Sequence, residues 1–118
     1  MTQARKHNRA PRPAYSICRE WRQVQLKCAY EVSILDEHDD DGTARIVDLA
    51  DATQRELERD LTDAAMVTVY DPHSVLGIAL CLLREGWGAE TERVEHLIQV
   101  ARHGLITISN ATERRAAA

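Results

Sequence analysis

The sequence predicts an all-α protein, a small bundle of about four helices behind a basic N-terminal arm. Three observations point there. Apolar residues recur at three- and four-residue spacing in four stretches, the signature of amphipathic helices. Asp71-Pro72 is a strong helix-start signal, and clusters of Gly or Asp separate the stretches. No Phe is present, and Trp21, Trp87, Tyr15, Tyr30 and Tyr70 are the aromatic residues, so Leu, Ile, Val and Ala must build most of the core. At 118 residues the chain has the length of one domain with a modest core.

Residues 1–13 hold Arg5, Lys6, Arg9, Arg12 and two prolines with almost nothing apolar. Such a segment cannot offset the entropy of ordering and is expected to be a mobile arm. Residues 14–36 carry Ile17, Trp21, Val24, Cys28, Val32 and Leu35 at helical spacing. The same region also alternates, through Val24, Leu26, Cys28, Tyr30, Val32 and Ile34, as a half-buried strand would. Length favours the helix, because a strand over the alternation would far exceed the usual five or six residues. The alternative is an α+β fold with residues 23–35, 44–49 and 66–70 as strands.

The acidic run from Asp36 to Asp41, with Gly42, is expected to end that element, Gly42 permitting a positive φ. Thr43 is then expected to cap a second helix through Ile46, Leu49, Leu57 and Leu61, with Asp51 and Arg55 paired one turn apart on its outer face. Asp71 is expected to cap the third helix and Pro72 to open it. That helix, Val75 to Leu83, is apolar all round and needs neighbours on every side. Gly77 suits a close helix crossing, and Gly86 and Gly88 end the element. The last helix starts near Ala89 and places Val94, Leu97, Ile98, Ala101, Leu105 and Ile108 on one face. Gly104 is expected to interrupt it. The domain then spans residues 14–112, and residues 113–118 form a frayed tail.

Charge is strongly polarised along the chain. Residues 1–27 hold seven Arg or Lys and one acid (+6), residues 28–118 hold eight and eighteen (−10), and the two sum to the net −4. A basic arm on an acidic body suits a binding protein. One wholly apolar helix with few partners implies that part of its surface is covered by another molecule. The contact surface is expected at Leu76, Leu80, Leu83, Val100 and Ile106, with a protein partner or a second copy as its occupant. Nucleic acid is the alternative partner, held through phosphate contacts from Arg5, Lys6, Arg9, Arg12, Arg19 and Arg22.

No motif names a chemistry. The register Glu37, Asp39, Asp41, Gly42, Asp48 imitates an EF-hand loop but has the wrong residue types at its first and last positions, so it reads as a solvated turn. His96 and His103 lie seven apart without an HExxH or Glu-x-x-His companion and read as helix-surface histidines. Nucleophile elbows, P-loops and dinucleotide fingerprints are absent. The expectation is a non-catalytic protein with no metal and no cofactor. Cys18, Cys28 and Cys81 are expected as buried free thiols, because Cys18 and Cys28 would sit about 15 Å apart along one helix. No apolar run reaches the roughly 18–20 residues that span a bilayer, the N-terminus has no secretory h-region, and the cytoplasm is the expected compartment.

Overall fold

The computed structural model describes residues 11–85 and 91–117. These hold four α-helices: α1 (Ala14–Ser33), α2 (Asp40–Asp60, continued by a 3-10 turn over Leu61–Asp63), α3 (Tyr70–Arg84) and α4 (Thr91–Ala117). The fold class is all-α. Residues 23–33 and 44–49 are helical, and residues 66–69 connect helices without joining a sheet. The strand alternative therefore fails. On α1 the deeply buried set is Ala14, Ile17, Cys18 and Trp21, which has helical spacing, and Leu26 and Tyr30 are exposed. The alternation was a coincidence between the core stripe and an outer one.

The helices run up, down, up, down. α1 packs against α2 and α3, and α3 packs against α4. The parallel run of α1 and α3 follows from Gln25 bonding Glu85 at 2.6 Å and from Arg22 lying close over Gly77. Trp21, Ile17, Leu61, Ile78, Leu97 and Val75 are fully buried and form the centre of one core.

Local chemistry departs from expectation at several ends. Residues 11–13 belong to the fold, because Ala14 N donates to Ala65 O at 3.0 Å and Ala65 N donates to Arg12 O at 3.1 Å. The expected mobile arm otherwise lies outside the described residues, as do Gly86 and Gly88. α2 begins at Asp40, not after Thr43: the Asp39 carboxylate accepts from Gly42 N at 2.8 Å, and Asp40 and Asp41 occupy the first turn. Acids that repel one another in a helix interior are stabilising at its positive N-terminal end. Gly42 is consequently an ordinary helical residue.

Asp71 binds backbone N–H groups as expected, but those before the helix. Its carboxylate accepts from Val67 N at 2.8 Å and Thr68 N at 2.9 Å, fixing the α2–α3 connection, and the side chain is buried. α4 does not break at Gly104. That glycine is buried against Met66, and a methyl there would stand 3.2 Å from Pro72 Cγ. The missing side chain admits the neighbouring segment rather than ending the helix. α4 then continues to Ala117, so residues 113–117 are helical and not frayed. Arg114 and Arg115 in the last turn suit its negative end.

Candidate functional site

Three features stand out on this scaffold: a buried polar network, a histidine-bearing cleft and an uncovered apolar face. The network joins α1, α2 and α4. Glu58, 3% exposed, accepts from the Trp21 indole N–H at 2.8 Å and from Arg93 Nε at 2.8 Å, with a second Arg93 nitrogen on its other oxygen. Arg93 also reaches Asp51 at 2.8 Å, and Asp51 holds Arg55 at 2.8 Å. Burial pushes the Asp51 carboxyl up, but the hydrogen bond from Arg55 and the charge of Arg93 outweigh it and hold the group below its usual value. Each ionised group of this network is paired, and among the described residues no buried side-chain nitrogen or oxygen lacks a partner. The network ties α4 to α2.

Sequence reasoning missed this network. Its trace is Glu58, a carboxylate flanked by Leu57 and Leu61 on the buried side of α2, a position where an unpaired charge would be costly.

The cleft lies between the end of α2 and the middle of α4. Thr62, Asp63, His96, Gln99 and His103 line it above Met66, Val100 and Gly104, and its volume is about 390 Å³. His96 Nε2 stands 3.4 Å from Thr62 Oγ1 and 3.3 Å from Glu58 O, so the ring is engaged within the fold. His96 is half-buried and His103 exposed. Among the described residues no group of three or more His, Cys, Asp or Glu is arranged to hold a metal ion.

The apolar face belongs to α3 and α4. Leu76, Leu80 and Leu83 follow one another at i, i+4, i+7 on α3, which places them on one stripe. Leu76 is partly buried against the core, whereas Leu80 and Leu83 are each 55% exposed. α3 packs against α1 and α4 and is open on the side that carries Leu80 and Leu83, where His73 and Arg84 are also exposed. On α4, Ile98 and Leu105 are exposed and seven residues apart, on the margin turned away from the cleft and towards α3. Val100, expected at the contact surface, is instead a core residue that also floors the cleft. Its neighbours on α3 and the α2–α3 connection reach farther round α4 than the apolar stripe alone indicates. Ile106 is 47% exposed but lies about 100° round the helix from Leu105 and does not join the face.

The basic residues are dispersed. Arg12 is ion-paired with Glu20 and donates to Ser16 Oγ at 3.2 Å. Arg19 stacks 5.7 Å over the Tyr15 ring, and Arg22 covers Gly77. Arg5, Lys6 and Arg9 lie outside the described residues. The cysteines are free, and Cys18 alone is deeply buried. Burial pushes its thiol up to about 11, with Arg22 opposing and Asp71 adding to the shift.

Fold and surface together define an antiparallel four-helix domain held by a buried ion-pair network, with an incompletely covered apolar face. Among the described residues no helix is long and apolar enough to cross a membrane. No protein-family model matches the chain, and neither a curated protein nor a solved structure is significantly similar to it.

Proposed function

We propose that the protein is a non-catalytic helical interaction protein that self-associates or docks on a larger protein assembly, and that the open side of α3 with the adjoining margin of α4 is its contact face. The observation that carries this reading is the exposure of Leu80 and Leu83 on a helix that packs against both α1 and α4. Leaving two leucines in water forgoes roughly 1.5–3 kcal/mol each on full burial, and aligned apolar side chains of this kind mark contact sites. The cleft beside His96 supports a catalytic reading less well, because His96 Nε2 is already engaged by Glu58 O and Thr62 Oγ1.

Light scattering with and without nucleic acid tests the proposal. The expected result is a mass above the 13.3 kDa of one chain without nucleic acid, lowered by the joint change Leu80→Glu and Leu83→Glu at unchanged helicity. A mass of one chain at every concentration, rising only when nucleic acid is added at low salt, would replace this reading with nucleic-acid binding through the arm.

A further inference from the structure

The outer face of α1 has no neighbour in the bundle, yet it is not a simple solvated face. Tyr15, Arg19, Leu26 and Tyr30 lie on one stripe opposite the buried residues of the helix, and all four are exposed, Leu26 by 70% and Tyr30 by 65%. The spacing of four, seven and four is symmetric about a point between Arg22 and Gln23. A two-fold axis there sets Tyr15 against Tyr30 of a second copy and Arg19 against its Leu26. Aromatic, arginine and leucine side chains in such an arrangement make good contact anchors.

Charge along the same segment has the same symmetry with the sign reversed. Residues 1–27 carry +6, whereas residues 28–41 hold Glu31, Asp36, Glu37, Asp39, Asp40 and Asp41 and no Arg or Lys, giving −6. The five acids from Asp36 to Asp41 are all exposed. A two-fold contact must be self-complementary. Parallel pairing would set plus on plus, and antiparallel pairing sets plus on minus at both ends.

Within one chain the two charged ends are kept apart. α1 separates Ala14 from Ser33 by about 29 Å. Antiparallel pairing opposes the basic N-terminal part of each copy to the acidic turn of the other.

We propose that two copies pair antiparallel through the outer face of α1, the basic N-terminal part of each opposed in charge to the Asp36–Asp41 turn of the other. This rests on reading the protein as one that self-associates, and it adds a contact separate from the α3–α4 face. The pair uses none of the α3–α4 face residues, so the dimer presents two docking sites and gains from bivalency.

The experiment uses the full chain carrying Leu80→Glu and Leu83→Glu, so that the α3–α4 contact is removed and the α1 contact alone is read. The expected mass is twice 13.3 kDa at about 0.05 M salt, with dissociation promoted at about 0.5 M, where screening is short-ranged. Reversing the arm (Arg5→Glu, Lys6→Glu, Arg9→Glu) raises the dissociation constant at least tenfold. Reversing the turn (Glu37→Lys, Asp40→Lys, Asp41→Lys) does the same, and neither variant touches the Asp39 cap or the core. Mixing the two reversed proteins restores the dimer, because both interchain contacts again join opposite charges. Leu26→Asp separates the pair without loss of helicity. A monomeric background protein overturns the α1 pairing while leaving the α3–α4 reading intact. A dimer that ignores both reversals, or two reversed proteins that fail to recombine, also overturns it.

Discussion

Glu58 is the position where one substitution should cost most. Its carboxylate receives the Trp21 indole and two Arg93 nitrogens, with side-chain exposures of 4% for Glu58 and 10% for Arg93. Glu58→Ala leaves a buried indole donor without an acceptor, a penalty of about 1–3 kcal/mol. It also leaves Arg93 with Asp51 as its remaining carboxylate in this network. Removing one partner of a buried pair costs about 3–5 kcal/mol, and the indole term overlaps with that range rather than adding to it. A chain of this length has an unfolding entropy near 0.25 kcal/mol per kelvin, so the Tm should fall by roughly 12–20 °C. Replacing both partners (Glu58→Leu with Arg93→Met) removes the desolvation of two charges along with their attraction. That double variant should therefore be more stable than Glu58→Ala. Urea unfolding followed by helical circular dichroism and Trp fluorescence measures both, together with Glu58→Leu and Arg93→Met singly. A loss below about 1 kcal/mol for Glu58→Ala, or a double variant that costs the sum of its singles, would refute the assignment of the network as a coupled buried unit.

Gly104→Ala should destabilise, although Ala is favoured over Gly by about 1 kcal/mol in an open helix. The new methyl meets Met66 and Pro72, and adding Met66→Ala should recover part of the loss in thermal unfolding. A stabilised Gly104→Ala protein would show that the contact at this crossing is loose. Asp51→Asn should matter least in acid. The Asp51 carboxyl sits below its ordinary 3.8, so its contribution is present above that value and is lost as pH falls through the folded one. The stability difference from the unaltered protein should be steady near neutrality, about 1 kcal/mol or less because the group is 40% exposed, and should close below about pH 3.8. A gap unchanged down to that acid range would remove Asp51 from the ion-pair network.

Much of the fold was legible because helix formation is read from neighbours in sequence. Ile17 and Trp21 recur at helical spacing and are buried, Asp51 and Arg55 meet one turn apart, and Pro72 lies in the first turn of the third helix, which begins two residues earlier than expected, at Tyr70 with Val69 as its N-cap. The errors arose where one residue type serves two local purposes. Asp40 and Asp41 break a helix interior but start a helix well, and Gly104 weakens a helix unless a neighbour needs the space it leaves. The apolar character of α3 was visible in the sequence, and its open side was not. Val100 shows why: distance from the apolar stripe does not decide burial when another segment packs over it.

Local spacing and charge order thus determined four helices, their approximate limits and the opposed signs at the two ends of α1. Those properties depend on residues a few positions apart. Which carboxylate lies beside which guanidinium depends on residues such as Glu58 and Arg93, 35 positions apart, and on how far each helix turns towards its neighbour. Only tertiary packing fixes that rotation, because it is set by the fit of the whole core. Packing therefore decided that Glu58 is held inside, that Leu80 and Leu83 remain outside, and that the outer stripe of α1 has no neighbour among the described residues.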